Sequence, residues 1–158
     1  MFSLRIKEET LLLAIEDLSR EHPFAFERVG YFHGKREGGL VVLDNWLSFK
    51  DDEYLDNTMA GACIGPLGMQ RLSKEAFNTK DSYFHFHLHG FQEIPEFSGI
   101  DMRSLKEVSP GLFGFSKSGP HGGIVKGRKG WCVALWSERK KDPIFLEEGS
   151  VNLEVYRG

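Results

Sequence analysis

The 158-residue chain has only two cysteines, Cys63 and Cys132, too few for a disulfide framework and not in the C-x-x-C spacing of a metal knuckle. No apolar run approaches the ~20 residues that a membrane span needs. The opening MFSLRIKEET becomes charged too early for a secretory signal. Charge of one sign is also missing. Twenty basic and 23 acidic residues leave a formal charge of -3, which excludes the broad basic field that nucleic acid or anionic lipid attracts. The nearest approaches, KGRKG (126–130) and ERKK (138–141), are short and read as a hairpin tip and a solvated strand end. There is no repeat, no low-complexity linker and no shift of composition. These absences predict one cytoplasmic domain over 1–158 with neither a nucleic-acid nor a membrane partner.

What is present is core material: 41% hydrophobic residues, with 13 phenylalanines and three tryptophans. FSLRIK alternates Phe2, Leu4 and Ile6 with polar residues, as a half-buried strand does. EETLLLAIEDLSREHP spaces Leu11, Ile15 and Leu18 for a helix, closed by Pro23. FAFERVGYFHGK and GLVVLDNWLSF, linked through GKREGG, predict a hairpin. Pro66 opens a second helix that faces Met69, Leu72 and Ala76 one way. A histidine-bearing strand follows, then a loop with Pro95 and a short helix from about Ser98. After Pro110, the segments GLFGFSKSG, GGIVKG, GWCVALW, PIFLEE and VNLEVY read as strands parted by turns. Cys132, inside GWCVALW, is expected to be buried. The order predicts an α+β fold, a mixed central sheet flanked by helices.

The chemistry gathers in YFHFHLHGF (83–91), where His85, His87 and His89 alternate. A period of two sends all three to one sheet face. Three readings fit the string. HFHLHGF matches a histidine-triad nucleotide hydrolase, although 69 residues follow His89 and NTKDSY stands where a phosphate-binding segment belongs. His87, His89 and Glu93 have the H-x-H-x3-E spacing of a cupin-like metal site, although two helices precede it. The third reading extends further, to SGID, as H-x-H-x8-S-x-x-D with Ser98 and Asp101, and back to FERVGYFHG with Glu27.

With those residues in that order, the chain resembles the JAMM/MPN metalloprotease family, of the cytidine-deaminase-like fold, over Glu27 to Asp101. It departs twice: the family's seven-residue gap before the serine is eight here, and Gly90 stands at a usual proline. The resemblance implies that His87, His89 and Asp101 hold one zinc ion per chain, three ligands leaving a fourth position open. It implies that Glu27 is the general base and that Ser98 donates to the oxyanion. No organic cofactor is implied. Each residue also has a plainer role: Ser98 and Asp101 form a capping-box pattern, and Glu27 suits a solvated strand. His85 is expected to pack beside the ligands, and His33 and His121 to lie at the surface or in turns.

The resemblance further implies an isopeptidase or peptidase that cuts after the C-terminal glycine of a ubiquitin-like protein. The stand-alone form resembles bacterial members found beside activating and conjugating enzymes in antiphage defence; others process sulfur-carrier proteins. SKSGPHGGIVKGRKG (116–130) is expected to be a flexible insertion near the substrate groove.

Overall fold

The computed structural model describes residues 1–21, 27–55, 63–146, 149 and 151–158. Among the described residues it is α+β: three α-helices and two mixed sheets. Chain order is β1 (Phe2–Lys7), α1 (Glu8–Leu18), β2 (Gly30–Gly34), β3 (Arg36–Glu37), β4 (Leu40–Leu43) and β5 (Asn45–Ser48). There follow α2 (Pro66–Thr79), β6 (Ser82–Leu88), α3 (Gly99–Leu112), β7 (His121–Lys126), β8 (Trp131–Trp136), β9 (Ile144–Phe145) and β10 (Val151–Tyr156). One sheet runs β10-β1-β4-β3 and the other β5-β2-β6-β7-β8-β9. No helix among the described residues is long and apolar enough to cross a membrane.

The hairpin forms, but in two sheets. His33 pairs with Asn45 in one sheet and Arg36 with Val41 in the other, so the first strand advances three residues while the second advances four. The extra residue is a β-bulge, and it bends the ribbon from sheet to sheet. Gly34 lies at the bend, where an added Cβ would fall 1.6 Å from the Val42 carbonyl oxygen.

The alternation in β6 divides the core. Phe84 and Phe86, both fully buried, join α1 and the four-stranded sheet through Leu4, Ile6, Leu11 and Ala14. Truncating a buried phenylalanine of this kind costs about 3–5 kcal/mol. Tyr83 faces the other way, onto Leu72 and Ala76 of α2 and Leu112 of α3. That second face also carries the histidines.

Several expectations are corrected. GLFGFSKSG is not a strand: α3 runs through Pro110 to Leu112, and turns follow. Pro110 removes one backbone donor, to Lys106, and the helix lasts only two residues beyond it. The glycine-rich 116–130 segment is no flexible insertion. Its centre is β7, paired on both sides between β6 and β8. Its glycines serve close packing, since a Cβ on Gly122 would lie 2.0 Å from the Ala134 carbonyl oxygen and one on Gly123 2.5 Å from Leu105. Helix α1 ends at Leu18, while Pro23, expected to close it, lies outside the described residues. Cys132 is buried as expected.

His33 and His121 are not at the surface. His33 is buried, with Nδ1 2.8 Å from Asp81 Oδ2 and its ring stacked on Tyr83. His121 is fully buried: its Nδ1 accepts from the Tyr83 amide (3.1 Å) and its Nε2 donates to the Ser116 carbonyl (2.8 Å). Burial holds its pKa down at about 4, against the pull of that carbonyl. Both rings tie β6 to its neighbours through hydrogen bonds that its pattern does not announce.

Candidate metal centre

Three elements meet at the C-terminal end of β6. His87 lies on the strand, opposite Val125 of β7, and is 1% exposed. His89 follows the strand's last residue, 6% exposed, its amide bonded to the Lys126 carbonyl. Strand β2 runs antiparallel to β6 with Gly30 opposite Phe86. The three residues before Gly30 therefore run back alongside the three after Phe86, which brings Glu27 level with His89. Ligand atoms of Glu27, His87 and His89 all lie within 4.8 Å of one another, a triad that can hold a metal ion.

Asp101 arrives from α3. Ser98 caps that helix reciprocally: its Oγ accepts from the Asp101 amide (3.0 Å) and Asp101 Oδ2 accepts from the Ser98 amide (2.8 Å). The same Oδ2 stands 3.3 Å from His87 Nε2 and 3.6 Å from His89 Nε2, while the two Nε2 atoms are 3.0 Å apart. Burial opposes ionisation of Asp101. His87 and the Ser98 amide and hydroxyl outweigh it and hold the carboxyl well below the ordinary range. A capping box and a ligand position are thus served by one carboxylate.

The loop from Gly90 to Phe97 is fixed by contacts the sequence did not suggest. The Gln92 amide donates to the His89 carbonyl. The Arg128 and Lys129 amides, in the turn between β7 and β8, donate to the carbonyls of Gln92 and Glu93. Gly127 admits this clamp, because a Cβ there would fall 2.7 Å from both of those carbonyl oxygens. KGRKG is therefore a hairpin tip, as expected, and also a brace.

Gln92 does more. Its Oε1 accepts from the Glu96 amide (3.1 Å), which fixes the amide's orientation, and faces His89 Nδ1 at 3.0 Å. In the neutral ring the Nδ1 then carries the proton, and Nε2 turns its lone pair to the cluster. Nothing in the motif singles out Gln92. Its place three residues after His89 was the only available signal. His87 Nδ1 has no hydrogen-bond partner among the described residues.

His85 shares the sheet face but not the cluster. It packs edge-on against Tyr31 and His87, with ring centroids 5.3 and 5.4 Å away. Burial first, then the neighbouring His87 charge, lowers its pKa to about 3, with Asp101 pulling the other way. Glu93, the carboxylate of the cupin-like reading, is exposed and pairs with Lys129 (3.6 Å) and Arg128 (3.9 Å) rather than approaching the histidines.

Two imidazole nitrogens, with the Glu27 carboxylate within 4.8 Å of them and the Asp101 carboxylate within 3.6 Å, can take up a cation or relay a proton. Their spacing limits what they can do alone, since nitrogens 3.0 Å apart can share one hydrogen but cannot both donate. Compared with known proteins, the chain matches no protein-family model and no curated protein.

Proposed function

We propose that the protein is a zinc-dependent peptidase of the JAMM/MPN type, cleaving after the C-terminal glycine of a ubiquitin-like protein or its conjugate. One observation carries the reading: Glu27, His87, His89 and Asp101 come together from the approach to β2, the end of β6 and the first turn of α3. The donor set fits the metal. Zinc bonds of ~2.0–2.1 Å in a tetrahedron imply ligand atoms about 3.3–3.4 Å apart. The spacings of 3.0, 3.3 and 3.6 Å between His87, His89 and Asp101 bracket that figure.

A bound zinc ion supplies a polarised substrate carbonyl and water acidic enough to attack near neutral pH. The chain's own groups do the rest. Glu27 takes a proton from the attacking water and passes it to the leaving amine. Ser98 accepts the Asp101 amide with one lone pair, and its hydroxyl proton, which otherwise turns to the Asp101 carboxylate, swings to the oxyanion. Gln92 holds the His89 ring in its tautomer, and the Ser98 amide orients Asp101. The biological setting we favour is a bacterial antiphage conjugation system with its own activating and conjugating enzymes. A sulfur-carrier precursor with the same diglycine end would be cut by the same residues.

The test measures metal per chain and cleavage of a diglycine-tailed modifier fusion. Wild type should hold close to one zinc and cleave, and Asp101→Ala should lose most of both. Glu27→Gln should keep the metal and lose about 10²–10⁴ in rate, the span of general base catalysis. Metal lost from Glu27→Gln would make Glu27 a ligand. A wild type without metal that turns over adenosine phosphoramidate would replace this reading with the histidine triad.

A further inference from the structure

A cavity of about 670 Å³ opens beside the metal centre, between α2 and α3, and the mechanism above does not use it. Its walls are apolar: Met69 and Leu72 from α2, Val108 and Leu112 from α3, and Val29 from the approach to β2. Its rim on α3 is polar, with Arg103, Ser104 and Glu107. Tyr31 and His85 line it from the sheet, and His85 is the group in ring contact with His87. Ile100, next to Asp101 in sequence, lines it too and is half exposed. Cavity and metal centre are thus neighbouring parts of one sheet face.

Pockets of ~300–1,000 Å³ with apolar walls and a few converging polar groups are the usual form of a ligand site. We infer that this cavity is a substrate subsite of the same centre: it takes a short apolar segment, roughly two or three side chains, of the peptide that flanks the cleaved bond. The inference rests on the peptidase reading and adds the substrate's character to it. A glycine tail has no side chain to fill such a space. The occupant in this inference is the polypeptide on the other side of the bond, which leaves with the amine. The side-chain size and apolarity of that polypeptide then set specificity, because apolar groups placed in a matching pocket change selectivity by about 10–200-fold each.

The experiment uses two labelled peptides, GGFLF and GGSNS, and two diglycine-tailed modifier fusions that continue after the cleaved bond as FLF or SNS. Binding of the peptides is followed by fluorescence anisotropy and cleavage of the fusions by gel, with wild type and Ser104→Trp. Ser104 is exposed on α3, so the indole can fill the rim without disturbing the core. Wild type should bind GGFLF at least ~10-fold more tightly than GGSNS and prefer the FLF fusion by a similar factor. Ser104→Trp should abolish both preferences while keeping its zinc and cleaving the SNS fusion within about twofold of wild type. Equal binding of the two peptides by wild type, or a preference that survives in Ser104→Trp, would overturn the subsite. Failure to cleave either fusion while GGFLF still binds selectively would sink the peptidase reading and leave the cavity standing as a site for apolar peptide.

Discussion

Strands β2 and β6 carry a histidine–carboxylate cluster at each end, and the two are built on opposite logic. At one end His33 Nδ1 meets Asp81 Oδ2 at 2.8 Å and Lys35 Nζ meets Oδ1 at 2.7 Å, one positive or donating group for each oxygen. At the other, His87 Nε2 faces His89 Nε2 and Asp101 Oδ2, with Glu27 nearby. The first cluster is paired, because each Asp81 oxygen lies against one basic group. In the second, two imidazole nitrogens and a carboxylate oxygen stand within 3.6 Å of one another with Glu27 close by, an arrangement that can take up a cation. The residue types are nearly the same. Pairing makes a strut, whereas convergence makes a site.

The sharpest way to break the comparison is to exchange the damage. Asp81→Ala leaves the buried His33 ring without its carboxylate partner and the exposed Lys35 without its counter-charge, and should destabilise the fold by about 1–3 kcal/mol. Its zinc content per folded chain should match wild type. His87→Ala should do the reverse. Added zinc should raise the melting midpoint of wild type and of Asp81→Ala but leave His87→Ala unmoved, since only a binding-competent native state gains from ligand. A zinc response in His87→Ala would mean that the ion sits elsewhere.

The strut also has a pH signature. Burial works against Asp81 ionisation, but the His33 and Lys35 bonds prevail and lower its pKa. The unfolded chain titrates near ~3.9, so the stabilisation is complete above that value. It fades as pH falls through the lower folded pKa. Stability curves of wild type and Asp81→Asn should therefore differ most at neutral pH and converge in strong acid. Parallel curves down to pH 2 would remove Asp81 from the account.

A smaller effect belongs to the support around the ligands. Gln92→Ala frees His89 Nδ1 from its acceptor and should weaken zinc binding by about 10–100-fold, with little change in global stability. Competition against a chelator of known affinity reads this directly. An unchanged affinity would show that the ring is held by packing alone, for instance by its stacking on Phe91.

Much of this arrangement was legible because periodicity and spacing are local. Alternation at His85, His87 and His89 gave a strand with one histidine face, and Pro66 with Met69, Leu72 and Ala76 gave α2. Glu27 and Asp101 could be tied to that strand only through the order of a longer motif, since antiparallel register is a property of the fold. The losses share a cause: glycine and proline were read as punctuation. Gly122 and Gly123 are present because no Cβ fits there, and Pro110 costs α3 one bond without ending it. The switch of the β2–β5 ribbon between sheets turns on a bulge at Gly34, a glycine that reads in sequence as an ordinary turn residue. His33 and His121 looked exposed because their partners, Asp81 and Ser116, are distant or ordinary in sequence.

The smallest expected effect lies at Gly90, in the loop between β6 and α3. No heavy atom lies within 4 Å of a Cβ added there, and the backbone is not in the left-handed region. Gly90→Ala should change stability by no more than about 0.5 kcal/mol and leave zinc content untouched. Gly127→Ala, on the clamping turn, should reduce zinc affinity, because its Cβ collides with the carbonyls that the turn holds in place. If Gly90→Ala were the more damaging of the two, the longer loop would be setting its own shape. If Gly127→Ala is, the turn between β7 and β8 is what holds the Gly90–Phe97 loop so that Asp101 meets the histidines.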